Sequence, residues 1–132
     1  MIRGIHHINL LVRDLPKAME QYQQQLGVAH FEVADLPRRG VRTARFMVGD
    51  TAIVLVQPVA EGEPMRQLQS RGEGLFLLSF EVDSLESACS HVVAGGGQLD
   101  GEPRKGLNDW QVVDIDASGI SGGQLQLTEV LD

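Results

Sequence analysis

Ile5-His6-His7-Ile8-Asn9-Leu10-Leu11-Val12 and Leu75-Phe76-Leu77-Leu78-Ser79-Phe80-Glu81-Val82 decide the fold, because the two stretches keep the same apolar pattern when laid residue on residue. The same offset sets Leu15 over Leu85, Ala18 over Ala88 and Gly27 over Gly97. With small gaps, Pro37-Arg38-Arg39-Gly40 falls over Pro103-Arg104-Lys105-Gly106, and Ile53-Val54-Leu55 over Leu125-Gln126-Leu127. Identities are few, but the order holds from end to end, and such self-similarity reads as duplication.

Each copy begins with a strand that runs straight into a helix. In the first, Ile5–Val12 is the strand, Asp14 can cap the helix, and Leu15, Ala18, Met19, Tyr22 and Leu26 make one apolar stripe before Gly27 ends it. In the second, Asp83 and Glu86 have capping-box spacing, Leu85, Ala88, Cys89 and Val92 form the stripe, and Gly95-Gly96-Gly97 stops it. Three strands follow each helix, near 29–33, 42–48 and 52–57 and then near 98–101, 111–115 and 124–129, with Gly49-Asp50 as a hairpin turn. Residues 1–59 thus read as one βαβββ module, 60–74 as a linker with a short helix over Met65–Ser70, and 75–132 as a second module of the same compact domain. The predicted class is α+β: two βαβββ modules whose strands form a curled mixed sheet around a central cavity, with helices on the outer face.

Composition agrees with one globular domain. The 132 residues are 42% hydrophobic, 22% charged and 5% aromatic, a balance foreign to disordered, collagenous or coiled-coil chains. A net charge of −7 argues against a surface built to neutralise nucleic-acid phosphates. Cys89 is the single cysteine and closes no intrachain disulfide, which suits a reducing compartment. No apolar signal core and no membrane-length apolar run occur, so a cytoplasmic protein with neither membrane nor nucleic-acid partner is expected.

Alternation within strands selects the residues that would line the cavity. His7, Asn9 and Leu11 face away from Ile8, Leu10 and Val12; Leu77, Ser79 and Glu81 are their counterparts; Ala52, Val54 and Val56 match Gln124, Gln126 and Thr128. Internal alignment makes His7, Val54, Leu77 and Gln126 equivalent central positions. A mononuclear metal needs three or four converging N, O or S donors, and two of these four side chains are hydrocarbon. His6 points to the opposite face. His30 and His91 have no partner at ligand spacing, Glu81 reads as a rim carboxylate, and Trp110 alone makes no stacking platform.

Through these stretches the chain resembles the vicinal oxygen chelate superfamily, which includes glyoxalase I, extradiol dioxygenases and bleomycin-resistance proteins. Within it, the likeness is to methylmalonyl-CoA epimerase-like members. His7-Ile8-Asn9-Leu10-Leu11-Val12-Arg13-Asp14-Leu15, Gly40-Val41-Arg42, Val48-Gly49-Asp50-Thr51, Arg71-Gly72-Glu73-Gly74, Phe80-Glu81-Val82 and Gly122-Gly123-Gln124-Leu125-Gln126-Leu127 carry the resemblance. It implies paired βαβββ modules, a divalent metal (Zn, Co, Ni or Mn) that chelates vicinal substrate oxygens, and a homodimer. It also implies metal ligands at four positions. His7 keeps one, whereas Val54 stands for a Gln or Glu, Leu77 for a His, and Gln126 for a Glu that also transfers protons.

Two functions follow. In one, the chain binds a small, partly apolar ligand in the sheet cavity, with Leu11, Val54, Val56 and Leu77 as the apolar lining and His7, Asn9, Ser79 and Gln126 as polar contacts. In the other, it is a divergent metal-dependent isomerase or lyase for an acyl-CoA thioester or 2-oxo compound, with His7 as base or metal ligand and Gln126 in the proton-transfer position. The residues themselves call for no cofactor. Arg38 and Arg104, in the paired basic loops with Arg39, Arg42 and Lys105, could hold a phosphate or carboxylate tail, or could be solvated turns.

Overall fold

The computed structural model describes residues 1–131. Its elements are β1 (Ile2–Leu11), α1 (Leu15–Leu26), β2 (Glu32–Leu36), β3 (Val41–Val48), β4 (Thr51–Pro58), α2 (Glu63–Arg71), β5 (Gly74–Val82), α3 (Leu85–Ala94), β6 (Leu99–Lys105), β7 (Trp110–Ile115) and β8 (Leu125–Val130). Short 3-10 turns stand at Pro37–Arg39 and Ala117–Gly119. Two βαβββ runs joined through α2 make an α+β fold, and the strands form one mixed eight-stranded sheet in the order β2-β3-β4-β1-β5-β8-β7-β6.

By internal contacts the chain divides into one unit of residues 8–76 and another of 1–7 with 77–131. The boundaries of this division fall inside β1 and β5. The cause is local: Met1 runs beside the end of β5, its carbonyl accepting from Asp83 N–H at 3.3 Å, while Val12 at the far end of β1 donates to Val56 at 2.9 Å.

In the unit of residues 8–76, β2, β3 and β4 are consecutive antiparallel neighbours. Their helix-facing side holds Val12, Leu15, Ala18, Ala44 and Leu55, with Leu10, Met19, Tyr22 and Phe31 packed against them. Asp14 caps α1, its side chain accepting from Lys17 N–H at 3.0 Å. Gly27, at φ +69°, ends the helix and lets Val28 N–H reach the Tyr22 carbonyl. In the other unit, β5 runs parallel to β8, and β7 lies antiparallel to both β8 and β6. Val82, Leu85, Ala88, Val113 and Leu127 form its helix-facing core, joined by Phe80, Cys89, Val92, Leu99 and Ile115.

Several local expectations change. The cap of α3 is Ser84, whose hydroxyl accepts from Ser87 N–H at 3.2 Å; Asp83 instead faces the N-terminal amine and Arg3. The first strand after α1 lies at Glu32–Leu36, not 29–33. The basic motifs are not equivalent loops. Pro37–Arg39 is a 3-10 turn, whereas Pro103-Arg104-Lys105 lies in the edge strand β6, where a proline costs no ladder bond on its open side and a register irregularity separates Asp100 from Arg104.

One repeated contact ties each helix to its sheet. Leu15 N–H donates to Gln57 Oε1 at 2.7 Å, and Leu85 N–H donates to Glu129 Oε1 at 2.6 Å. These pairs occupy matching places in the two copies, each satisfying an amide that the first helical turn leaves without an internal acceptor. Replacing Gln57 or Glu129 with Ala should each cost about 1–2 kcal/mol of unfolding free energy in urea titrations, the size of a lost helix cap.

Candidate functional site

The helix-facing cores settle which side chains lie on the other face of the sheet. With Phe80, Val82, Val113 and Leu127 packed on α3, alternation sends Leu77, Ser79, Val112, Asp114, Gln126 and Thr128 to the opposite side. All are buried except Asp114, which is half-buried. Ser79 lies beside Gln126 in register and shares a 2.6 Å hydrogen bond with Thr128. Gln126 Nε2 donates to Asp114 Oδ1 at 3.0 Å, and Arg104 Nη1 meets Asp114 Oδ2 at 2.9 Å. Arg104, expected to reach a ligand's anionic tail, thus directs its guanidinium at a carboxylate of its own unit. Gln126 is 3% exposed, and its Oε1 is buried without a hydrogen-bond partner in the protein.

His7 is 4% exposed and stacks on Trp110 with ring centroids 4.9 Å apart and 14° between planes. His6 does not stand apart, as alternation predicts. It meets the same indole edge-on at 4.3 Å, and its Nδ1 lies 2.9 Å from His7 Nδ1. That contact requires one of the two Nδ1 atoms to carry the proton and the other to accept it. Trp110, discounted in isolation, is therefore the aromatic floor for both imidazoles. Asp114 was likewise missed, although Trp110, Val112 and Asp114 share one face of a strand by simple period two.

In the unit of residues 8–76, Leu11, Val54 and Val56 lie opposite the α1-facing core, with Thr43 beside Val56 in register, and all four are buried. Asn9 is half-buried, and its Oδ1 has no partner in the protein. Arg38 is exposed on its 3-10 turn, and Arg42 pairs with Asp35 at 2.9 Å. A cavity of about 670 Å³ in this unit is lined by Leu26, Val28, Phe46, Met47 and Val48 with the Arg45–Glu32 ion pair, and it includes none of the candidate site residues. Arg45 holds the Glu32 carboxyl below its ordinary range by hydrogen bond and charge. Burial pushes the Cys89 thiol up, which keeps it protonated and inert.

The donor set does not fit the divalent metal that the resemblance implies. Val54 and Leu77 offer no lone pair and Gln126 is a neutral amide, which leaves His7 as the one imidazole at these four positions. Among the described residues no group of three or more His, Cys, Asp and Glu side chains converges as a metal site would need. The nearby carboxylate, Asp114, is turned toward Arg104 and the Gln126 amide.

A sequence model of the Glyoxalase/Bleomycin resistance protein/Dioxygenase superfamily matches residues 4–120, and the chain belongs to that superfamily. Within it, the chain is similar to methylmalonyl-CoA epimerases. It is 26% identical to the ethylmalonyl-CoA/methylmalonyl-CoA epimerase of Cereibacter sphaeroides, over 98% of this chain and 100% of that one. The crystal structure of methylmalonyl-CoA epimerase from Mycobacterium tuberculosis superposes with a TM-score of 0.93 at 26% identity, covering 99% of this chain and 90% of that one. A Streptomyces coelicolor methylmalonyl-CoA epimerase variant, in complex with 2-nitronate-propionyl-CoA, shares the fold with a TM-score of 0.92 at 21% identity and full coverage of both chains.

The stack of His7 on Trp110 should appear as energetic coupling. A double-mutant cycle with His7→Ala and Trp110→Ala, followed by urea unfolding, should give about 0.5–1.5 kcal/mol of interaction energy, as for buried aromatic pairs. Strict additivity would contradict the contact.

Proposed function

We propose that this chain binds a small, partly apolar acyl-CoA thioester on the sheet face away from its helices and does not carry out metal-centred proton transfer on it. The observation that carries this reading is the set of residues at the four central positions: Val54 and Leu77 stand where the resemblance implies donors, and Gln126 where it implies a proton-transferring carboxylate. An amide does not accept a proton near neutral pH and cannot act as a general base. Such a face still recognises a ligand. In one unit Leu77 supplies apolar contact beside the polar groups of His7, Ser79 and Gln126, and in the other Leu11, Val54 and Val56 do so beside Asn9; each unit by itself carries a mix suited to an acyl chain with a thioester carbonyl. Likeness to CoA-thioester epimerases over nearly the whole chain supports the ligand class.

The second reading, a metal-dependent isomerase or lyase, is favoured by that same whole-chain likeness. Proton exchange separates the two. Incubated with methylmalonyl-CoA in D₂O, the chain should leave the C2 hydrogen in place, whereas catalytic deuterium uptake at C2 would establish the isomerase reading. Binding is tested by thermal melting: propionyl-CoA at a hundred times its dissociation constant should stabilise the fold by about 2.7 kcal/mol. His7→Ala should remove that shift.

A further inference from the structure

The Gln126 carboxamide has two chemically different ends, and its surroundings decide which is offered to a ligand. Asp114 lies directly opposite Gln126 in the β7–β8 register. A carboxylate only accepts hydrogen bonds, so Asp114 Oδ1 draws the amide's NH₂ end, at 3.0 Å. Arg104 pairs with the other carboxylate oxygen at 2.9 Å, holding Asp114 in place from the neighbouring strand β6. The amide oxygen is therefore turned away from Asp114. It is buried, in a residue 3% exposed, with no hydrogen-bond partner in the protein. A buried acceptor left unpaired is costly, and a ligand donor that reaches it removes that cost.

We infer that Asp114 is a specificity-determining positioning residue: by holding the NH₂ end of the Gln126 carboxamide and leaving its oxygen unpaired, it makes the site select an acyl group bearing a hydroxyl or N–H donor and reject one bearing a free carboxylate. A ligand carboxylate brought to this point meets an amide oxygen with the Asp114 carboxylate behind it, so both the dipole and the charge oppose it. A hydroxyl at the same carbon donates to the oxygen that the protein leaves unpaired. The inference rests on the acyl-CoA reading above and narrows it to donor-bearing acyl groups.

Three thioesters that differ at one carbon test it. Propionyl-CoA has hydrogen at C2, 2-hydroxypropionyl-CoA adds a donor there, and methylmalonyl-CoA adds a carboxylate. Dissociation constants from calorimetry should place the hydroxy compound up to about tenfold tighter than propionyl-CoA, the span of one neutral hydrogen bond, and methylmalonyl-CoA weakest. In Asp114→Asn the new amide can donate to Gln126 Oε1, which releases the Gln126 NH₂ to donate to a ligand. The order of the hydroxy and carboxylate compounds should then reverse, a change that general loosening of the fold does not produce. Gln126→Leu, which keeps the core apolar, should bring the hydroxy compound and propionyl-CoA within about threefold of each other, since the acceptor that tells them apart is gone.

If the wild-type chain binds none of the three, the acyl-CoA reading fails and this inference falls with it. If it binds them but favours the carboxylate, or if Asp114→Asn leaves the order unchanged, the inference alone is overturned. Melting curves for each variant confirm that the comparison is made on folded protein.

Discussion

Everything at the site depends on a parity constraint. Each strand can pack only one of its two faces against a helix, and a slip of one residue would exchange the faces entirely. Leu55 and Ala44 under α1, and Val113 and Leu127 under α3, are at or below 1% exposure, so neither unit has room for a shifted register. Once those four are held, Val54, Leu77 and Gln126 have no freedom to face the helices. The chemistry of the opposite face is thus a consequence of hydrophobic packing on this one.

A second consequence concerns charge. Where the resemblance implies a carboxylate among metal ligands, this chain has the amide of Gln126, and the carboxylate beside it, Asp114 on the next strand, is paired with Arg104. The same carboxylate accepts a hydrogen bond from the amide. The two imidazoles are likewise held by neighbours: their Nδ1 atoms face each other and their rings rest on one indole. Polar residues on this face are organised by one another.

Much of this was legible in the sequence. Duplication and the switch between period two and period 3.6 located the helix of each module and the succession of strands along the chain. Other features depended on tertiary partners that local patterns do not reveal. Ser84 caps α3 while Asp83 is engaged with Arg3 and the N-terminal amine, a contact between residues about eighty positions apart in the chain. Pro103 was read as a loop signal, yet on an edge strand it is tolerated. The shared role of His6 and His7 could not be inferred from alternation, since it is Trp110, more than a hundred positions away in the chain, that gathers both rings.

The central claim is that hydrocarbon and amide groups have replaced the donors a divalent ion would require. Equilibrium dialysis of the purified chain against Co²⁺, with bound metal measured by elemental analysis and by visible absorption, tests it most directly. The account predicts no stoichiometric binding and no ligand-field bands at micromolar metal. One tightly held ion per chain, lost on replacing His7 with Ala, would contradict it.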